Sequence, residues 1–97
     1  MTRWYIFYES DRALSVLARF VDIVRYSITP YDGRILVNGG QTYTVHGDAR
    51  GPDYQLLVEF PHRDAAEAWY QSALFGLILE KACVWPDGRF FMMEGAA

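Results

Sequence analysis

The chain has 97 residues, which suits a single domain spanning residues 1–97 with its own core, and no second domain is expected. Hydrophobic residues make up 52% and charged residues 22%, a balance that excludes disorder, while a net charge of −3 without any Lys/Arg run excludes a nucleic-acid binder. No run approaches the roughly 20 apolar residues that span a bilayer, and Met1-Thr2-Arg3-Trp4-Tyr5 does not open a signal peptide. With one cysteine, Cys83, and therefore no internal disulfide, a protein of the reducing cytoplasm, off the membrane, is expected.

Trp4 to Glu9 reads as a strand, with Trp4, Ile6 and Tyr8 on one face and Tyr5 and Phe7 on the other. Because both faces are apolar, this strand is either central and covered twice or part of an oligomer contact. Ser10 and Asp11 are the candidate cap of a first helix, in which Leu14, Leu17, Ala18, Val21 and Val24 form one stripe. Val16, Phe20 and Ile23 form a second stripe beside it, and Arg12, Ser15, Arg19 and Asp22 form the solvated side. Thr29-Pro30 ends the helix, and Asp32-Gly33 completes a turn.

A second strand begins at Arg34, with Ile35, Leu36 and Val37 leading into Asn38-Gly39-Gly40. Thr42 to Val45 then resumes an extended pattern, so the paired glycines mark a bulge, a kink or a tight hairpin. Gly47 to Asp53, with Gly51-Pro52 inside it, is expected to be an exposed, mobile loop. Leu56 to Phe60 reads as a third strand that Pro61 stops. A helix follows, capped either by Asp64 with Glu67 as a capping box or by His62, which would leave Asp64 in the first turn.

Ala66, Trp69, Tyr70 and Ala73 recur at helical spacing, so the large rings of this helix are expected on the sheet. The helical pattern continues from Leu74 to Val84, with a break near Ser72, and Pro86-Asp87-Gly88 ends it. Arg89 to Glu94 is a last strand, apolar on both faces through Phe90 and Met92 on one side and Phe91 and Met93 on the other.

The order strand, helix, strand, strand, helix, strand predicts an α+β domain of the ferredoxin-like, split βαβ kind, with two helices on one face of an antiparallel sheet. The other face would be an apolar patch too large for a soluble monomer, and a second copy is its simplest cover, so a homodimer is expected.

Tyr31-Asp32-Gly33-Arg34-Ile35-Leu36-Val37-Asn38-Gly39-Gly40, Val45-His46-Gly47-Asp48, Leu57-Val58-Glu59-Phe60-Pro61, Ala65-Ala66-Glu67-Ala68-Trp69-Tyr70-Gln71-Ser72 and Asp87-Gly88-Arg89, in this order and spacing, resemble the domain of unknown function 1330 family over nearly the whole chain. The resemblance implies a dimeric α/β barrel. That wider group includes cofactor-free monooxygenases, muconolactone isomerase-like enzymes, haem-degrading enzymes and ligand-sensing domains. The chain departs from the family pattern at Arg12-Ala13-Leu14, at the aromatic run Tyr5 to Tyr8, and at Ala73-Leu74-Phe75.

Candidate chemistry is sparse. His46 and His62 share no metal spacing with each other or with Cys83, so no metal is expected. Residues 69–84 contain no histidine to act as a haem axial ligand, no cofactor is implied, and Cys83 reads as a buried structural thiol. Glu59 stands out because a carboxylate between Val58 and Phe60 in a central strand needs a partner. Antiparallel pairing of the second and third strands brings Arg34 toward it.

Glu9, Arg34, Glu59 and Arg89 are expected to gather at one end of the sheet, with Tyr8 and Trp69 as walls. Glu59 and Arg34 are then the candidate catalytic pair, and Tyr8, Trp69, Arg89 and Glu9 the candidate ligand contacts. The functional expectation is a homodimer that binds a small molecule in a cleft, as a cofactor-free isomerase- or monooxygenase-like enzyme by analogy of fold. The alternative is a non-catalytic dimeric binding or structural module in which the polar cluster only fixes packing.

Overall fold

The computed structural model describes residues 2–11, 14–39, 41–48, 51–81 and 88–96, with the side chains of 14–19 and 79–81 left aside. Expectations for Arg12, the Leu14, Val16, Leu17 and Ala18 positions, Ser15, Arg19, Gly40, Cys83, Val84 and Pro86-Asp87 lie outside the described residues.

Strand β1 (Trp4–Ser10) is followed by helix α1 (Leu14–Ile28), a single 3-10 turn (Thr29–Tyr31), strands β2 (Arg34–Asn38) and β3 (Tyr54–Phe60), helices α2 (Arg63–Tyr70) and α3 (Ala73–Lys81), and strand β4 (Arg89–Glu94). The sheet order is β2-β3-β1-β4, with every neighbouring pair antiparallel. This is the ferredoxin-like arrangement that the element order predicts. β1 is central in the sheet, but the described helices pack on only one of its two apolar faces, that of Ile6 and Tyr8.

The period of two decides which side chains meet the helices. Ile6, Tyr8, Leu56, Val58 and Phe60 are all at most 4% exposed, packed beneath Val24, Ile28, Ala66, Trp69 and Ile78. Each side chain buried this completely contributes about 1.5–3 kcal/mol of transfer free energy. Tyr5, Phe7, Leu57, Phe91 and Met93 point the other way, where none of the described elements covers them, and Phe91 and Met93 stay 47% and 42% exposed.

β2 joins this scheme through a bulge. Ile35 pairs with Val58 and Val37 with Leu57, so Leu36 is the extra residue. The bulge lies upstream of the paired glycines, and Gly39 instead ends the strand at φ 71°, donating its N–H to the Gln55 carbonyl at 2.8 Å. The extended segment expected over Thr42 to Val45 forms no strand; these residues are exposed, and Gln55 Nε2 reaches Thr42 Oγ1 at 3.0 Å. Their β-propensity finds no ladder to express itself in.

At the end of α1, the 3-10 turn carries Pro30 in its first turn, and Asp32 adopts the left-handed conformation at φ 58°. Gly33 follows because a Cβ there would come within 2.8 Å of the Phe60 ring and 2.9 Å of Ile28 Cβ. The cap of α2 is His62, whose Nδ1 accepts the Ala65 N–H at 3.2 Å, and Asp64 lies in the first turn. The helical pattern breaks at Ser72, whose hydroxyl donates to the Trp69 carbonyl at 2.6 Å and accepts the Phe75 N–H at 3.2 Å, closing α2 and starting α3.

Two helical positions differ from expectation. Tyr70 is 38% exposed and Ala73 is exposed, because the chain turns at Gln71–Ser72 and only Ala66 and Trp69 keep the sheet-facing stripe. Ile23, from the second stripe of α1, is also left 37% exposed, while Phe20 is buried.

Candidate functional site

Glu59 sits on the open sheet face, opposite the helices, and is only 6% exposed because neighbouring side chains lie over it. Arg34 pairs with it across β2 and β3, and its Nε donates to Glu59 Oε1 at 2.9 Å. Tyr5, directly opposite on β1, donates its hydroxyl to Oε2 at 3.1 Å, and a guanidinium nitrogen of Arg3 lies 3.5 Å from Oε1. Both carboxylate oxygens are therefore occupied.

Burial pushes the Glu59 pKa up, but the hydrogen bonds from Tyr5 and Arg34, with the charges of Arg34 and Arg3, outweigh it and hold the carboxyl below its usual range. The same hydrogen bond, helped by burial and by the carboxylate's charge, raises the Tyr5 phenol. The pair is thus held as carboxylate and neutral phenol, a stable charge arrangement and a poor proton shuttle at neutral pH.

The expected gathering of four charged residues does not occur. Arg89 pairs with Glu9, with a guanidinium nitrogen 2.6 Å from Glu9 Oε1. This second pair lies four residues further along β1 than Tyr5, about 13 Å away at strand spacing. The reason is direction: β3 and β4 both run antiparallel to β1, so the start of β4 aligns with the start of β3, whereas Glu59 is near the end of β3.

Tyr8 and Trp69 are not walls of the charged cluster either. Their positions place them in the core, on the helix side of the sheet, both 0% exposed. Trp69 Nε1 donates to Ser27 Oγ at 2.9 Å, and that hydroxyl donates to the Val24 carbonyl at 2.9 Å, tying α2 to α1. Tyr54, also buried, donates to Asn38 Oδ1 at 2.8 Å, and burial beside Tyr8 drives its phenol far above the usual range.

The cavity lies elsewhere. A space of about 250 Å³ is lined by Ile6, Tyr70, Phe75, Phe90, Phe91 and Met92, where the α2–α3 junction meets β1 and the edge strand β4. Tyr8 and Trp69 stand one ring behind it: Tyr8 lies 4.7 Å from the Phe90 centroid, Trp69 lies 4.6 Å from Phe75, and Phe75 meets Phe90 edge-on at 5.2 Å. None of the described lining residues is charged. The sequence singles out none of the six as a ligand contact, since each reads as ordinary core or strand, and only the turn at Ser72 leaves a gap beside β4.

His46 is exposed, and His62 is engaged as a helix cap. Among the described residues no group of three or more His, Cys, Asp or Glu could hold a metal ion, and no helix is long and apolar enough to cross a membrane.

The family model of domain of unknown function DUF1330 matches residues 10–96. Comparison with curated proteins finds no match. Among solved structures, the chain is similar to a protein of unknown function from Rhodopseudomonas palustris, with a TM-score of 0.72 at 11% identity, covering 99% of this chain and 84% of the other. It is also similar to a dimeric ferredoxin-like protein of unknown function from a Jannaschia species, with a TM-score of 0.67 at 16% identity, covering 98% and 99%. These likenesses support the fold.

Proposed function

The chain belongs to the DUF1330 family, and from that premise we propose a homodimeric binding domain that holds a small molecule between its helices and its sheet. The observation that carries the proposal is the cavity of about 250 Å³ on the helix side, set apart from the charged residues of the open face. A second copy on that open face would cover Phe7, Leu57, Phe91 and Met93, and the similar Jannaschia protein is dimeric. The cytoplasm is the proposed location, since a single cysteine suits a reducing compartment.

In this reading the domain is a binder rather than an acid–base enzyme. Glu59 and Arg34 lie on the far side of the sheet from the cavity, with both carboxylate oxygens engaged, so their role is to fix the register of β2, β3 and β1. Glu9 and Arg89 do the same for β1 and β4. Tyr8 and Trp69 back the rings that line the cavity rather than touching a ligand.

The test is a fragment screen read by methyl NMR on methionine-labelled protein, with light scattering after size exclusion on the same sample. Fragments that shift the Met92 methyl in a particle of twice the chain mass support the proposal. A monomer, or fragments that shift Met93 on the open face and leave the Met92 methyl unmoved, would overturn it.

A further inference from the structure

Apart from Phe91, whose ring lies on the open face against Phe7, the lining residues are Tyr70, Phe75 and Phe90, which carry aromatic rings, and Ile6 and Met92. Such a wall presents ring faces, ring edges and a polarizable sulfur, which favour a flat aromatic guest over an aliphatic one of equal size. The volume sets the scale, since a cavity of roughly 150 Å³ accommodates benzene, and one of about 250 Å³ therefore accommodates a second fused ring. Charge sets a second limit. Arg3, Arg34, Glu59, Glu9 and Arg89 belong to the open face and are paired there, so a charged guest would lose its hydration with no counter-ion among the described lining residues. Among the described lining residues Tyr70 supplies the only polar side chain and, being 38% exposed, belongs to the solvent side of the wall.

We propose that the cavity beside β4 selects uncharged, two-ring aromatic molecules bearing one small polar group, with Tyr70 meeting that group and Phe75 and Phe90 meeting the rings. This rests on the reading of the cavity as a binding site and adds the class of its ligand. Ring contacts discriminate against a saturated analogue of the same shape, and the missing counter-ion discriminates against an acid.

The experiment titrates the full chain with three probes of similar size: 1-naphthol, its fully saturated analogue decahydro-1-naphthol, and 1-naphthoate. Calorimetry reads affinity, and NOEs to the Met92 methyl, assigned with Met92→Leu, read location. The expected result is a Met92 contact from 1-naphthol, with the saturated alcohol about tenfold weaker and the carboxylate weaker by at least as much. Tyr70→Phe should weaken 1-naphthol several-fold while leaving unsubstituted naphthalene unchanged, with circular dichroism confirming the fold. Equal binding of the saturated alcohol, or preference for naphthoate, with Met92 contacts intact would overturn the ligand class and leave the binding site standing. Binding of all three without a Met92 contact, or of none, would overturn the site as well.

Discussion

Replacing Ser27 by alanine removes the acceptor of the Trp69 indole N–H, a 2.9 Å hydrogen bond between groups that are 1% and 0% exposed. At that depth the N–H is left buried and unbonded, at a cost of about 1–3 kcal/mol. In a Trp69→Phe background there is no N–H to orphan, and the remaining loss is the hydroxyl's bond to the Val24 carbonyl, offset by the better helix propensity of alanine. Ser27→Ala should then be nearly neutral, giving a coupling of about 1–3 kcal/mol between the two sites. The assay is urea unfolding followed by far-ultraviolet circular dichroism at one fixed protein concentration. With a slope of about 1 kcal/mol per molar urea for a chain of this size, the midpoint should fall by roughly 1–3 M in the wild-type background. An equal fall in both backgrounds would refute the argument and leave the orientation of Trp69, and of the Phe75 ring packed on it, without its anchor.

Phe91→Arg, on the half-exposed outer face of β4, should weaken self-association by about tenfold or more, which light scattering across a dilution series would read; unchanged mass would remove that face from the interface. Because folding lowers the Glu59 pKa from its ordinary 4.5, its contribution to stability is complete above that value and is lost as pH falls through the folded value. Urea midpoints should therefore drop on acidification below about pH 4.5 in the wild type more than in Glu59→Gln; parallel profiles would show that the carboxylate gains nothing from its partners. Gly33→Ala should destabilise by about 1–3 kcal/mol through the clash with Phe60 and Ile28, and a thermal melt unchanged from wild type would contradict the close approach.

What could be read from the sequence were the rules that operate locally or between adjacent strands. Arg34 opposite Glu59 follows from antiparallel pairing, and the break at Ser72 follows from residue chemistry at helix ends, while the cap of α2, open in the sequence between His62 and an Asp64–Glu67 capping box, proves to be His62. The misplacement of Arg89 came from applying strand direction to β2 and β3 without carrying it through β1 to β4. Alternation alone would have separated Tyr8 from Glu59, since Tyr8 shares its face with Leu56 and Glu59 shares its face with Tyr5. The cavity had no signal of comparable kind. It depends on how the α2–α3 junction packs beside β1 and β4, which are distant in sequence, rather than on any local pattern. Thr42 to Val45 differ for the opposite reason: the β pattern is present, but among the described residues this segment forms no strand.

The position of β1 has a kinetic consequence. It comes first in sequence yet lies between β3 and β4, so both of its hydrogen-bonded neighbours are supplied by chain far downstream, and its Glu9 waits for Arg89. Closing such long loops before any sheet contact rewards them is slow, and the apolar strand stays exposed meanwhile. A nascent or truncated chain that stops before Arg89 would present an unpaired β1 edge bearing Trp4, Ile6 and Tyr8 on one side and Tyr5 and Phe7 on the other, a template for pairing with other chains. The last strand therefore acts as the lock on folding, and its loss is a route to aggregation rather than to a smaller folded domain.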